Sequence, residues 1–295
     1  MFNVPVTFLP TPPFTNERSQ RAYIYHEYAS NGAKHVVLTD TLINMMLKDD
    51  MVMPEILMQL HNEGLDFVDA HAPFGKFLDL SCPLKEYRPQ MLAIQKRVLE
   101  ICAQCSVHTI TFHVGNNVGY KPEYLPLEYN RAMVEDTLSH LLPIAESLDI
   151  TICIENIWFQ TNTPEELLRY KSLFPTDALG FCYDAGHANL MSTRHGADRP
   201  ALEHFQRDNH IDIPFDDHIL EKMLPHIVNC HLHDNHGIWD EHLNIGQGNI
   251  DWQRIIPILK TAPRLKCIQS EVLGQSRIIG IKDVVDKFNW LATLE

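Results

Sequence analysis

The 295 residues are 45% hydrophobic and 21% charged, with a formal net charge of −14, which is the composition of a soluble globular chain with room for one large core or two modest ones. No apolar run approaches the roughly 18 residues of a membrane span, and the start MFNVPVTFLPTPP lacks the basic flank and long apolar stretch of a signal peptide, so a cytoplasmic chain with no membrane partner is expected. The acidic balance disfavours non-specific contact with nucleic acid, unless bound cations reverse the local field.

Taken in chain order, β-branched or apolar runs recur at residues 4–9, 34–39, 65–71, 108–114, 150–156, 179–184, 227–234 and 265–272. Stretches with helical spacing separate them, among them Met91, Ile94, Val98, Ile101 and Cys105, then Val134, Leu138, Leu141, Ala145 and Leu148, and finally Ile281, Val284, Val285, Phe288 and Leu291. Strict alternation of strand and helix implies parallel strands joined by right-handed crossovers. Eight repeats in this length predict a single-domain α/β protein over residues 1–295, a closed (β/α)8 TIM barrel. A doubly wound open sheet is ranked behind it, because LPTPPFTNERS, with no glycine-rich turn, follows the first strand. The one irregular insertion, about residues 189–226, has the length of a lid.

The seven cysteines are odd in number and scattered, as expected for reduced thiols. Cys102 and Cys105 lie on the helical stretch and are read as core packing, not as a zinc or redox pair.

Side chains able to bind metal fall at the C-terminal ends of the predicted strands. His71 closes the third, His113 the fourth, Glu155 the fifth and Asp184 the sixth, with His187 just behind it. His231 lies at the end of the seventh, Asp240 and His242 follow in its loop, and Glu271 ends the eighth. In a parallel barrel these ends share one rim, where active sites of the fold lie. Taken singly, a strand-end histidine is more often a satisfied interior group than a ligand. Converging together without cations, four carboxylates and five imidazoles would repel one another and be undersolvated, whereas divalent ions neutralise and coordinate them. Nitrogen and oxygen donors suit zinc or manganese, and also cobalt or iron. Cys153, Cys182 and Cys267 each lie an even number of positions before a proposed ligand and should face the barrel interior as small core fillers. Asp69 shares parity with His71; it is read either as a partner that orients a histidine or as a residue at a bulge.

The ordered motifs HAPF, FHVG, IENIW, YDAGHANL, HLHD, DEH, IGQGNIDW and SEV, over about residues 65–275, resemble the xylose isomerase-like TIM-barrel superfamily, which includes sugar phosphate isomerases and epimerases and the endonuclease IV type of abasic-site nuclease. The nuclease-type pattern implies one metal on His71, His113 and Glu155, a second on Glu155, Asp184, His231 and Glu271, and a third on His187, Asp240 and His242. The epimerase pattern implies a single ion at the second of these positions. It makes Glu155 and Glu271 an acid/base pair acting through a metal-stabilised enediolate, with His187 touching substrate. His233 and His236 have no matching role and are read as outer partners or solvent-exposed.

The first strand lacks the nuclease type's glycine-alanine-histidine opening, Phe74 stands where that type carries tyrosine, and no basic stretch offers phosphate contacts. The expected function is therefore a divalent-metal-dependent sugar or sugar-phosphate isomerase or epimerase acting on a small carbohydrate. The alternative is a trinuclear zinc phosphodiesterase. A non-enzymatic metal-containing binding protein, gripping an anion with Arg194, His195 and Arg199, ranks last. Barrels of this kind often associate, so a homo-oligomer is compatible with the resemblance.

Overall fold

In the computed structural model, residues 2–11, 15–115, 126–195, 202–203, 206–207, 212–274 and 277–295 are described. Eight strands, β1 (Val6–Phe8), β2 (His35–Leu38), β3 (Asp66–His71), β4 (Thr109–Phe112), β5 (Thr151–Glu155), β6 (Leu179–Asp184), β7 (Ile227–Leu232) and β8 (Cys267–Ser270), follow one another around a closed barrel. Every neighbouring pair is parallel, and β1 closes the ring on β8 with Thr7 opposite Gln269. The chain is thus the single-domain TIM barrel that the alternating pattern predicts. Among the described residues, no helix is long and apolar enough to cross a membrane.

The observed strands are shorter than several of the predicted runs because pairing ends at the rim. Beyond β4 the extended backbone pairs instead with a loop, Leu80 and Ser81 donating N–H to the carbonyls of His113 and Val114. The predicted helical stretches fold as Arg88–Gln104, Leu127–Ser147 and Ile281–Leu291. The last turns Val284, Val285, Phe288 and Leu291 inward, and each such side chain contributes about 1.5–3 kcal/mol by leaving water.

The strands' outer faces and the helices form the main apolar core, while Cys153, Cys182 and Val228 make a separate small cluster. All seven cysteines are free and buried, Cys102 and Cys105 within the main core. The register between β6 and β7 slips by one residue at Val228. A second slip, in β3, falls just before Ala70 and so includes Asp69. Asp69 contacts no histidine by hydrogen bond; its Oδ2 accepts from Asn229 Nδ2 at 3.3 Å, and burial pushes its carboxyl up to about 6. Of the 189–226 connection, residues 196–201, 204–205 and 208–211 lie outside the described residues, and the rest includes the short helix Ile219–Met223.

A candidate metal centre at the barrel mouth

Each predicted donor stands at the C-terminal rim. His71, Glu155 and Asp184 are the last residues of β3, β5 and β6, His113 and Glu271 come one residue after β4 and β8, and His231 is the penultimate residue of β7. His231 Nδ1 lies deepest, 3.0 Å from Glu155 Oε1, 3.3 Å from Glu271 Oε1 and 3.9 Å from Asp184 Oδ2. On one side, His113 Nε2 is 3.1 Å from Glu155 Oε2, and His71 has a ring nitrogen within 4.8 Å of both groups. On the other, Asp240 Oδ2 is 3.0 Å from His242 Nε2 and 3.5 Å from His187 Nε2. All nine side chains therefore form one continuous cluster with Glu155 at its middle.

Local folding explains how these groups are aimed. Asp184 caps the helix Ala185–Leu190, its Oδ1 accepting the His187 N–H at 2.6 Å. That bond fixes Asp184 and His187 together and leaves Oδ2 toward the cluster. Asn156 ties β5 to β6: its side chain exchanges hydrogen bonds with the Asp184 backbone, and its carbonyl accepts from His187 Nδ1 at 2.9 Å. His71 Nδ1 likewise pairs with the Ala72 carbonyl, and His242 Nδ1 with that of Glu271 at 2.8 Å. In all three the Nδ1–H is spent on a backbone oxygen, so the Nε2 lone pair faces the mouth, which is the usual wiring of metal-binding histidine. His231 is wired the other way, Nε2 facing Thr111 Oγ1 at 3.3 Å and Nδ1 turned to the carboxylates.

The loop after β7 is built on Asp234. Its backbone pairs with Leu243 in both directions, and its carboxylate accepts from Gly246 N, Ile250 N and Trp252 Nε1. This network folds HLHD against IGQGNIDW and returns Asp240 and His242 over the mouth. The two side chains meet as expected, but not from an extended loop. His242 adopts φ 51°, a left-handed conformation uncommon outside glycine and asparagine, held by its bond to Glu271 O.

His233 is one of the two histidines to which the resemblance assigned no role. It is fully buried, Nε2 3.2 Å from Asp184 Oδ2, its ring stacked on His242 with centroids 4.0 Å apart. Its alternation with His231 along β7 was the available signal. His236, by contrast, is exposed and binds Glu241.

The charge balance is tight. For Glu155 burial acts upward but is outweighed by the charge and hydrogen bond of His231, with His113 beside it, which hold it well below the usual carboxylate range. Glu271 and Asp240 are lowered too, burial being overcome by His231 at the first and His187 at the second. Burial opposes protonation of His187 and His231, yet Asp184 and Asp240 at the first, and Cys182, Glu271 and Glu155 at the second, raise them well above the ordinary histidine value. His242 is raised to about 9, Asp240 outweighing burial. Among the histidines of the cluster, His71 moves down, through burial and the neighbouring His113. Protons thus sit where a cation would do the same neutralising work. Asp240 Oδ1 is buried with no hydrogen-bond partner, and Glu155 Oε2 lacks an aligned donor. Two orphaned carboxylate oxygens in a nitrogen-and-oxygen donor set fit a divalent cation.

Above the cluster opens a cavity of about 670 Å³, lined by seven of the nine donors together with Phe74, Trp158 and Phe159. Lys76 is the only lysine or arginine among its described lining residues. Arg194 hydrogen-bonds to Ser192 and Asn189 and does not line this cavity; the side chain of His195 and all of Arg199 lie outside the described residues.

The xylose isomerase-like TIM-barrel family model matches residues 26–267. The chain belongs to that family. The match begins well before residue 65, where the readable motifs start, and takes in β2 and the two helices that follow it. An uncharacterized protein of Methanocaldococcus jannaschii is 30% identical over 213 residues, 69% of this chain and 64% of the relative, so the match spans just under two thirds of that relative's length. Two solved structures share the fold of this xylose isomerase-like barrel. A D-tagatose 3-epimerase-like protein is 22% identical, with 97% of this chain and 96% of that one covered and a TM-score of 0.71. The IOLI protein with a bound zinc atom is 14% identical, with 98% and 96% covered and a TM-score of 0.69.

Proposed function

We propose that this protein is a divalent-cation-dependent isomerase or epimerase of a sugar or sugar phosphate, with Glu155 and Glu271 as its acid/base pair. The observation that carries the reading is the convergence of Glu155, Glu271 and Asp184 oxygens within 3.9 Å of one nitrogen, His231 Nδ1, beneath a cavity large enough for a small carbohydrate. The epimerase-like and zinc-bearing neighbours support the same class. Glu155, Asp184, His231 and Glu271 would hold the cation, zinc or manganese for preference, which when bound supplies electrophilic stabilisation of charge developing on a substrate carbonyl oxygen.

The chain's own groups do the rest. Glu155 and Glu271 line the cavity and, held as carboxylates by their neighbours, are bases ready to take a proton next to a carbonyl and return it. His187 Nε2, fixed by the Asn156 carbonyl behind it, faces the cavity as a substrate contact. Phe74, Trp158 and Phe159 exclude water from the reacting face.

A second reading, phosphoester hydrolysis by up to three cations, is favoured by the flanking donors His71, His113, Asp240 and His242, which a one-cation epimerase does not require. Against a nucleic-acid substrate stands the presence of a single lysine or arginine among the described lining residues. The deciding experiment incubates zinc- or manganese-loaded protein with ketoses in deuterated water and, separately, with an abasic-site oligonucleotide. Deuterium incorporation without strand cleavage supports the isomerase reading; cleavage without incorporation replaces it.

A further inference from the structure

His233 stands between the two halves of the cluster, Nε2 3.2 Å from Asp184 Oδ2 and 3.7 Å from Asp240 Oδ1. By distance it qualifies as one more cation donor, alongside Asp240 and His242 or Asp184 and His187. Its wiring says otherwise. His71, His187 and His242 place Nδ1 on a backbone carbonyl, and His231 places Nε2 on Thr111 Oγ1, so each has an acceptor for its ring N–H and a lone pair to offer. His233 Nδ1 is buried with no hydrogen-bond partner. Were Nε2 to give its lone pair to a cation, the ring proton would sit on Nδ1 with nothing to accept it, a buried donor left unmade. With the proton on Nε2, the ring donates to Asp184 and leaves only a lone pair at Nδ1.

We infer that His233 is a positioning residue: it donates Nε2–H to Asp184 Oδ2 and sets the orientation of that carboxylate without itself binding the cation. Asp184 then has both oxygens engaged, Oδ1 by the His187 N–H at 2.6 Å and Oδ2 by His233. The carboxylate cannot turn, and the remaining lone pair of Oδ2 is available toward His231 Nδ1, 3.9 Å away. The ring is held by the stack on His242, at 14° between planes, and by Gly186, where a Cβ would come within 2.0 Å of His233 Cε1. Any residue but glycine at that point would force the ring or the helix to shift. Through the stack, the orientation of Asp184 is coupled to His242 on the outer side of the mouth.

The inference rests on the reading that these donors hold a divalent cation. Its test uses cobalt(II) added to full-length, chelator-treated protein, with bound cobalt counted by elemental analysis, affinity measured by chelator competition and coordination read from the visible absorption spectrum. His233→Gln places an amide N–H near the position of Nε2, whereas His233→Leu keeps bulk and removes the donor. The expected result is that His233→Gln retains the wild-type number of ions, the wild-type spectrum and affinity within about threefold, while His233→Leu retains the number but binds about 10–100-fold more weakly with an altered spectrum. Loss of one whole ion in His233→Gln would make His233 a ligand and overturn the inference. So would a leucine variant identical to wild type, or a glutamine variant as weak as leucine. If the leucine variant does not fold, the glutamine variant decides alone. Wild-type protein that takes up no cobalt would instead overturn the cation reading of the whole site, and is recognised before any variant is made.

Discussion

Glu155 Oε1 and His231 Nδ1 lie 3.0 Å apart at the floor of the mouth, joining the end of β5 to β7 past the intervening β6. Glu271 approaches the same nitrogen from β8 at 3.3 Å, and Gln269 Nε2 faces its Oε1 at 3.4 Å. Glu271→Gln keeps the volume of the side chain and removes its charge. Turnover is expected to fall about 100- to 10,000-fold, the range of a lost general acid or base, while the variant stays folded and its cation-loaded thermal midpoint drops in step with weaker cation binding. Deuterium exchange into a ketose, alongside calorimetry, checks both. Turnover that survives would place the chemistry on another residue.

The titration of the cluster sets a pH dependence for the cation-free protein. His242 is raised from 6.5 to about 9, so its pairing with Asp240 stabilises the fold fully below about pH 6.5, and that contribution is lost as pH climbs through about 9. Glu155 and Glu271 are lowered from 4.5, so theirs is present above about pH 4.5 and lost as pH falls. Asp69, raised from 3.8 to about 6, adds a loss within the same window and pulls the optimum toward its acid side. Cation-free protein should therefore melt highest between about pH 4.5 and 6.5. A cation needs the imidazoles neutral, so its affinity should rise as pH rises toward 9. Calorimetry of chelated and zinc-loaded protein across this range should show a widening gap in Tm. A gap independent of pH would mean that protons and cation do not compete for these rings.

The barrel and most of the donors were legible because both follow from simple periodicities. Parallel strands bring their C-terminal ends to one rim, so His71, His113, Glu155, Asp184, His231 and Glu271 could be placed together from strand ends alone. Asp234 was not legible. Its partners are the backbone N–H groups of Asn235, Gly246 and Ile250 and one indole, and backbone donors leave no mark in a sequence. The left-handed turn at His242 is hidden for the same reason, since the Leu243 bridge and the Glu271 carbonyl impose it. His233 needed knowledge that Asp184, 49 residues earlier, lies beside it.

Gly186 offers an independent check on that part of the geometry. In Gly186→Ala the new Cβ would sit 2.0 Å from His233 Cε1, closer than any real contact, and the helix carrying His187 would have to shift or the ring move. Overpacking of this kind costs about 1–3 kcal/mol. Urea unfolding of the chelated variant should show that loss, together with weaker cobalt binding than wild type. Unchanged stability and affinity would show that the contact between helix and ring is looser than described.

Asp234→Ala separates the framework of the site from its donors. The substitution strips acceptors from four partners at once, Asn235 N at 3.0 Å, Gly246 N at 2.8 Å, Ile250 N at 3.2 Å and Trp252 Nε1 at 3.0 Å. Trp252 and Ile250 are buried, so their N–H groups would be left without water, at about 1–3 kcal/mol each. A loss of about 3 kcal/mol or more in urea unfolding is expected, with Asp234→Asn intermediate because its amide oxygen still accepts. The loop bearing Asp240 and His242 would loosen, while Glu155, Asp184, His231 and Glu271, carried by strand ends, would keep their places. Titrated with cobalt, the variant should therefore keep its tightest ion and lose affinity only for further ones. Loss of the tightest ion would show that the β7 loop, and not the strand ends, holds the centre of the site.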